Sequence, residues 1–225
     1  GGGGYHWIDF NLEHGRIVSD QYYDSAGLYI SAINPNRSHD IAAIFDSSET
    51  GTSDPDLEGP DWAAGNLAPD TELLGMLIIA ENDFGGGDGI LDDPDDEGSR
   101  PAGELIFEFD GHIDEFGFDL IDIDDAVAES GSVEFYLDGD HVQSVAFIDF
   151  IDPFSDYYDP SVEYADNSAN RIEPILASVA AWDEIRIIMG GSGAIDNLHF
   201  RYVPAPGAIT LLLGGLLAAP RRRRG

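Results

Sequence analysis

The sequence of 225 residues is long enough for one domain with its own hydrophobic core. Its 44 acidic residues outnumber its 10 basic residues, all of them arginine, and give a formal net charge of −34 at pH 7. So negative a surface repels nucleic acid and anionic membranes, which excludes nucleic acid as a partner. Cysteine is absent, so an exported protein of this composition needs a stabilising element other than a disulfide.

Residues 1–4 are all glycine, and the chain begins without Met and without an apolar signal segment. We interpret this start as that of a processed or partial chain whose signal peptide is missing. We expect the glycines to form a disordered lead into the first strand. The predicted domain then covers residues 5–202.

Short runs of β-forming residues, separated by turn residues, recur along residues 5–202. Several alternate apolar and polar side chains, which is typical of a half-buried strand, and Asp138 with Gly139 indicates a hairpin turn between two of them. The predicted strands are residues 7–11, 28–33, 41–45, 73–80, 105–109, 116–120, 133–137, 141–150, 185–189 and 198–202. With few credible helices, this spacing predicts an all-β fold, an antiparallel β-sandwich of the jelly-roll type.

Two long loops between predicted strands, residues 46–66 and 81–101, are crowded with carboxylates. Carboxylates a few Å apart repel one another unless water or a cation separates them. Calcium accepts about six to eight oxygen ligands in a flexible geometry, whereas magnesium demands a strict octahedron. The sequence therefore predicts a structural Ca²⁺ site, with a solvated acidic surface as the alternative. The candidate ligands in these loops are Asp46, Asp54, Asp56, Asp95 and Asp96.

Aromatic residues in two loops are candidates for sugar binding. Tyr157 and Tyr158 lie in the polar loop of residues 152–170, and Trp62 lies in the first acidic loop. Exposed rings stack on sugar faces and offer polar atoms at their edges. The alternative, which the sequence favours, is that these rings pack onto the sandwich as covers of their loops.

The chain contains no recognisable catalytic motif, and we predict that it is not an enzyme. No pair of its six histidines has the spacing of a helical zinc site, and Ser192 lacks the outer glycines of a nucleophile elbow. The alternative is a secreted hydrolase of polysaccharide, which requires a cleft with two carboxyls about 5 to 9.5 Å apart. A non-catalytic binding protein instead predicts a shallow aromatic-lined face and no buried carboxylate pair.

The C-terminal residues 203–225 combine a proline-containing segment, a short apolar run and a block of arginines. The apolar run, residues 208–219, is shorter than the about 20 residues of a stable membrane-spanning helix. By the positive-inside rule, the arginines stay on the cytoplasmic side. This pattern predicts a short hydrophobic helix that holds a translocating chain in the inner membrane transiently. The residues that define the pattern are Val203, Pro204, Pro206, Arg221, Arg222, Arg223 and Arg224.

This tail resembles the PEP-CTERM sorting signal of Gram-negative envelope proteins, in which a Val-Pro-Glu-Pro segment precedes the apolar run and the arginine cluster. Ala205 stands here where that family most often has Glu. The resemblance implies an exosortase-type sorting enzyme as a partner. It also implies export to the cell surface or extracellular matrix of a Gram-negative bacterium.

Residues 8–150 resemble a widespread extracellular β-domain, which implies an exported domain but no known activity. The matching segments are Phe45-Asp46-Ser47, Asp54-Pro55-Asp56-Leu57, residues 77–80, Pro94-Asp95-Asp96, Phe107-Glu108-Phe109 and Leu120-Ile121-Asp122-Ile123-Asp124.

Asp196 and Asn197 open the last predicted strand and are similar to the ending of many jelly-roll carbohydrate-binding modules. In those modules such an Asp shares a structural calcium with an acidic residue of the first strand, which implies Asp9 and Asp196 as ligands here. The alternative is that Asp196 caps a turn. The sequence therefore predicts an exported, non-catalytic protein that is stabilised by calcium and that binds extracellular polysaccharide or contributes to biofilm.

Overall fold

The computed structural model describes residues 4–178 and 181–204, and it confirms the all-β prediction. Strands are the dominant element of this part of the chain; its single α-helix, α1, spans only Tyr23–Ala26, and three short 3₁₀ turns cover Pro55–Leu57, Gly86–Asp88 and Phe147–Phe150. The strands are β1 (Tyr5–Ile8), β2 (Leu28–Ile33), β3 (Ala42–Asp46), β4 (Gly75–Ile79), β5 (Gly103–Ile121), β6 (Ser132–Leu137), β7 (Asp140–Ala146), β8 (Ala169–Leu176), β9 (Trp182–Met189) and β10 (Ala194–Tyr202).

All ten strands are hydrogen-bonded into one open antiparallel sheet. Its main path runs β3-β4-β10-β5-β9-β6-β7, with β1 paired to β10 and both β2 and β8 paired to β5. The β6–β7 hairpin turns at Asp138 and Gly139, which both have positive φ, as the sequence predicts.

The long strand β5 has different neighbours along its two halves. Its first half, as far as Phe109, pairs with β2 and β9, and its second half, from Ile113, pairs mainly with β10 and β8. Phe107 and Phe116 lie nine positions apart, which in a straight strand would separate them by about 30 Å. Their ring centroids are 5.9 Å apart, so β5 folds back sharply between its halves.

Because β5 folds back, side chains from both halves share one core. The ring of Phe116 also meets that of Phe135 from β6, with centroids 6.3 Å apart. This main core takes apolar residues from all ten strands, and a second cluster forms around Phe45, Trp62 and Met76. The two acidic loops contribute Leu57, Trp62 and Leu91 to the second cluster.

The observed strands differ from the predicted ones in several places. The first strand, predicted over residues 7–11, is Tyr5–Ile8. The two strands predicted around Phe107 and Phe118 are one continuous strand, β5. The strand predicted over residues 141–150 ends at Ala146 and continues as a 3₁₀ turn. Strand β8 was not predicted, because Pro174 interrupts its pattern; β8 pairs with β5 alone, and an edge strand tolerates proline.

Most of the predicted sorting signal lies outside the described residues. Val203 and Pro204 follow β10 directly, and the backbone N–H of Val203 donates to the carbonyl of His112 over 2.8 Å. Residues 1–3, Pro206, the apolar run of residues 208–219 and the four terminal arginines are not described, so the predicted sorting helix stays a prediction. Within the described ranges, no helix has the length and apolar character needed to cross a membrane.

Candidate metal centre

Three neighbouring segments meet at one end of the sheet because of how β5 pairs. Its last residue, Ile121, is opposite the first residue of β8, Ala169, and opposite the first residue of β10, Ala194. The residue after β5, Asp122, therefore lies beside the one before β8, and its N–H donates to the carbonyl of Ser168 over 2.8 Å. The two acidic loops, which follow β3 and β4, reach the same end.

The acidic loops contribute a first triad, formed by Asp54, Asp95 and Asp96. One carboxylate oxygen of each lies within 4.8 Å of one from each of the others. Asp54 is 8% exposed and Asp96 is 6% exposed, so two of the three carboxylates are buried. The backbone N–H of Gly193, from the turn between β9 and β10, donates to Asp96.

Burial dominates the electrostatics of this first triad. It raises the pKa of Asp54 to about 6, with repulsion from Asp95 and Asp56 adding to the rise and hydrogen bonds with Asp96 opposing it. Burial, followed by repulsion from Asp54, also raises the pKa of Asp96 well above its ordinary value. The hydrogen bond from Gly193 to Asp96 and those between Asp96 and Asp54 offset only part of the cost of burial.

A second triad lies beside the first and consists of Asp122, Asp124 and Asp166, with oxygens again within 4.8 Å of one another. Asp122 is buried, and its Oδ1 accepts a 2.7 Å hydrogen bond from the N–H of Asn167. Burial raises the pKa of Asp122 to about 7 despite that hydrogen bond, and repulsion from Asp124 adds to it. Asp124 and Asp166 are exposed to solvent.

The two triads and Asp56 act electrostatically as one group, which we call the acidic end. Burial raises the pKa of Asp56, and repulsion from Asp166 and Asp124 raises it further. Within the described ranges, the one ion pair to any of these seven carboxylates joins Arg100 and Asp124, at 3.8 Å. The members of the acidic end are Asp54, Asp56, Asp95, Asp96, Asp122, Asp124 and Asp166.

Buried oxygens without hydrogen-bond partners occur at the acidic end. One is Oδ2 of Asp54 itself, and the others are Oδ1 of Asn167 and the hydroxyl of Ser168, on the segment that is bonded to Asp122. Unpartnered buried oxygens are costly because they have lost water without gaining a donor. A cation that accepts oxygen ligands would remove this cost.

The structure gathers only part of the predicted ligand set. Asp54, Asp95 and Asp96 come together and Asp56 is beside them, whereas Asp46 is outside both triads, where its Oδ1 accepts hydrogen bonds from Ser48 over 2.7 and 2.9 Å. In this structure the Asp46 carboxylate caps the turn after β3, apart from both triads, so its role as a ligand stays a prediction.

The predicted ligand pair Asp9 and Asp196 belongs to neither triad. Asp196 is 1% exposed, and burial raises its pKa to about 9, with repulsion from Asp119 and then Asp9 adding to the effect. Both of its oxygens accept from Asn197, over 2.6 and 3.0 Å. Asp9 is exposed, and in the described ranges no third ligand completes a group with these two.

Sequence reasoning missed the second triad. The signal was present in Asp122 and Asp124, whose alternation is the same Asp-x-Asp spacing as that of Asp54 and Asp56. The missing information was the pairing of β5 with β8, which brings Asp166 to the end of β5.

The predicted sugar-binding rings occupy different environments. Trp62 is 3% exposed and its indole N–H donates to the carbonyl of Thr71 over 2.9 Å, so its prediction as a sugar platform is wrong. Tyr157 and Tyr158 line a pocket of about 270 Å³ together with Asp156, Asp159 and Glu173. Tyr158 is 40% exposed, whereas the hydroxyl of Tyr157 accepts a 3.1 Å hydrogen bond from Gln143.

One group combines serine, histidine and a carboxylate, but not as a relay. Nε2 of His141 contacts both Glu134 and, at 3.3 Å, the hydroxyl of Ser144. A nucleophile–base–acid relay uses the two ring nitrogens for two different partners. Because a single nitrogen serves both contacts here, the imidazole does not bridge them.

Comparison with known proteins leaves the family open. No family model matches the chain, and no curated protein matches it. Among solved structures, the chain is similar to the K2 cleaved adhesin domain of Lys-gingipain, with 10% sequence identity and a TM-score of 0.42. That match covers 88% of this chain and 99% of the adhesin domain. A likeness at this level carries no argument about function.

Proposed function

We propose that residues 5–202 form an exported, non-catalytic β-domain that is stabilised by calcium. The observation that carries this proposal is the first triad, in which Asp54 is buried, its Oδ2 has no hydrogen-bond partner, and no arginine of the described ranges pairs with Asp54, Asp95 or Asp96. A Ca²⁺ ion bound by these oxygens would give Asp54 Oδ2 a partner and offset the repulsion within the triad. The irregular loops suit calcium better than magnesium, which requires a strict octahedron.

Thermal unfolding of the full chain, first in excess Ca²⁺ and then in excess chelator, tests this proposal. With free calcium at about 100 times its Kd, binding contributes about 2.7 kcal/mol. For a domain of this size that corresponds to a fall in Tm of about 5–10 °C on chelation. An unchanged Tm would contradict a structural calcium.

Matched variants locate the ion. Asp54→Asn removes a ligand of the first triad and should abolish most of the response to chelation. Asp46→Asn makes the same change of charge in the same loop region but outside the triad, and should keep the response. Equal responses of the two variants would place the ion elsewhere.

We further propose that the sheet closes on itself as a β-sandwich of the jelly-roll type. The fold-back of β5 supports this, as does the contact of Phe116 with Phe135 across the shared core. In solution, nuclear Overhauser effects between these two rings are expected, and their absence would contradict the sandwich.

The proposed ligand of the domain is extracellular polysaccharide, which would make it a surface or matrix component that contributes to biofilm. The pocket beside Tyr158 supports this, because it offers an exposed ring with carboxylates at its rim that can accept hydrogen bonds from sugar hydroxyls. Affinity electrophoresis in exopolysaccharide gels should show retardation that Tyr158→Ala removes. Tyr29→Ala, which removes an equally exposed ring from β2, is the control and should be retarded like the unmodified chain.

From residues 203–225 we propose that the protein is exported to the cell surface or extracellular matrix. An exosortase-type enzyme would recognise the segment around Val203 and Pro204 while the apolar run is held transiently in the inner membrane of a Gram-negative host. Deletion of residues 221–224 should leave unprocessed or mislocalised protein in a host that has the sorting enzyme. Unchanged surface display would contradict the sorting signal.

The alternative function, a secreted polysaccharide hydrolase, has one observation in its favour, since Asp54 and Asp96 are the buried carboxylate pair that a non-catalytic protein was expected to lack. Their oxygens approach within 4.8 Å, however, which is closer than the about 5 to 9.5 Å of glycosidase carboxyls, and burial closes them to a sugar chain. Release of reducing sugar from a panel of exopolysaccharides would favour the hydrolase.

A further inference from the structure

We propose that the pocket beside Tyr158 binds a sugar unit with a free, protonated amino group, as in a hexosamine that lacks its acetyl group. This inference rests on the polysaccharide binding proposed above and names the class of sugar. The pocket lies between residues 156–162, in the loop that follows β7 and its 3₁₀ turn, and residues 172–174 of β8. A polymer of uronic acids is the class of polysaccharide that it rejects.

The first argument is the build of the pocket. The buried members of its lining, Phe150, Val162 and Ile172, are apolar. The hydroxyl of Tyr157 accepts a hydrogen bond from Gln143, which also donates to a backbone carbonyl at the end of β8, so this wall is held in place. Its volume of about 270 Å³ is near the lower limit of the about 300–1,000 Å³ of small-molecule pockets, which suits one sugar unit at a time.

The second argument is the exposed ring in the lining. Tyr158 is 40% exposed, so its ring is open to a ligand. An aromatic ring packs against the C–H face of a sugar, and it also attracts a cation that lies within about 6 Å of its centre. A sugar with an ammonium group gains both interactions from the same side chain.

The third argument is the charge of the lining. All the charged residues that line the pocket are acidic, namely Asp156, Asp159 and Glu173. In the described ranges none of these three is in an ion pair. The nearest arginine in the sequence, Arg171, is already bound to Asp119 by hydrogen bonds of 2.8 and 2.9 Å. A protonated amine would donate charge-assisted hydrogen bonds to these carboxylates, whereas the carboxylate of a uronate would be repelled.

The test is isothermal titration calorimetry of the full chain with three trisaccharides at about pH 6, where an amine is protonated. The first consists of glucosamine, the second of N-acetylglucosamine and the third of galacturonate. The glucosamine trisaccharide should bind about tenfold more tightly than the acetylated one, because only its amines are charged. The galacturonate trisaccharide should show no heat of binding.

Matched variants assign this preference to the pocket. The double variant Asp156→Asn with Glu173→Gln should lower the affinity for the glucosamine trisaccharide to that for the acetylated one. Tyr158→Ala should weaken the binding of both. Asp20→Asn with Asp24→Asn removes two carboxylates elsewhere and should keep the tenfold preference. All the substituted side chains are exposed, so the variants should fold, and an unchanged Tm verifies this.

Trilysine is the control for a general attraction of cations to a chain with a net charge of −34. It should bind more weakly than the glucosamine trisaccharide, and Tyr158→Ala should not change its binding. Equal affinities for the glucosamine and acetylated trisaccharides, equally tight binding of galacturonate, or a preference that survives in the double variant at Asp156 and Glu173 would overturn this inference and leave polysaccharide binding standing. Trilysine binding that matches the glucosamine trisaccharide and depends on Tyr158 would assign the pocket to a cationic peptide and overturn it as well. If none of the trisaccharides binds, the inference and the proposed binding of polysaccharide both fail.

Discussion

At the scale of single residues, the buried carboxylates of this protein differ in whether an arginine pairs with them. Asp119 is completely buried, and Arg171 binds it with two hydrogen bonds of 2.8 and 2.9 Å. Asp54, Asp96 and Asp122 are also buried, but none of them has an arginine partner in the described ranges. The few arginines thus distinguish the buried carboxylates whose charge is offset by another side chain from those whose charge is not.

Replacing Arg171 should therefore destabilise the fold. Arg171→Met leaves the carboxylate of Asp119 buried without its charged partner, which costs about 1–3 kcal/mol and should appear as a lower midpoint of urea unfolding. The matched control is Arg16→Met, because its partner Glu13 is exposed and a surface pair contributes about 0–1 kcal/mol. Equal losses in the two variants would show that the ion pair with buried Asp119 contributes no more than a surface pair.

Asp196 should make stability fall as the pH rises in excess chelator. Its pKa is raised to about 9 in the folded chain, chiefly by burial, while the unfolded chain has the ordinary value of 3.8. The folded state therefore holds a proton that the unfolded state has already lost, and its advantage decreases between those two values. The free energy of unfolding, measured with urea between pH 5 and 8, should depend less on pH in Asp196→Asn. The slope should decrease by the contribution of about one bound proton.

The same variant separates the two explanations of Asp196. If Asp196→Asn keeps the slope of the unmodified chain, the proton is not held there. If it loses the response to calcium, Asp196 is a metal ligand, as the resemblance to carbohydrate-binding modules implies.

At the scale of elements, β5 organises the molecule. It is the longest strand, it pairs with β2, β8, β9 and β10, and its fold-back lets its two halves face one core. Its end also sets the position of Asp122 beside β8 and β10. A strand with this many partners links the core to the acidic end.

Truncation within β5 should consequently be costly. Phe116 is fully buried and its ring meets those of Phe107, Phe118 and Phe135, so Phe116→Ala should lower the free energy of unfolding by about 3–5 kcal/mol. Phe154→Ala removes the same atoms from a ring that is 97% exposed and should change it by less than about 0.5 kcal/mol. Chemical denaturation of the two variants provides the comparison, and a small effect at Phe116 would argue against the shared core.

At the scale of the whole molecule, repulsion between negatively charged side chains destabilises the folded state. A formal net charge of −34 produces self-repulsion, and seven of the 44 acidic residues are gathered at the acidic end. Salt and calcium should relieve it by different routes, since salt screens all exposed charges and calcium acts at its ligands.

The calcium-free chain should accordingly be stabilised by salt. Between 0.1 and 1 M NaCl the Debye length falls from about 10 to about 3 Å, and each 1 kcal/mol gained raises Tm by roughly 2–4 °C. The calcium-loaded chain should respond less, because its most concentrated charge is already offset. Scanning calorimetry of both forms provides the measurement, and equal responses would mean that calcium does not bind at the charged cluster.

The sequence by itself determined the class of the fold and most of its elements. Alternation in residues 133–137 and the turn signal at Asp138 and Gly139 are local, and such patterns follow from how a strand exposes one face and buries the other. It also determined that two loops would carry dense negative charge. It failed at β8, where Pro174 conceals an edge strand.

Only the tertiary structure decided which of the 44 acidic residues come together. Asp122 and Asp166 meet because β8 pairs with β5, and Asp46, close in sequence to the first loop, is kept apart by its own turn. The burial of Trp62 was decided in the same way, by its packing within the second cluster. The physical reason is that local patterns record the conformation of a segment, whereas contacts between distant segments depend on strand pairing and register.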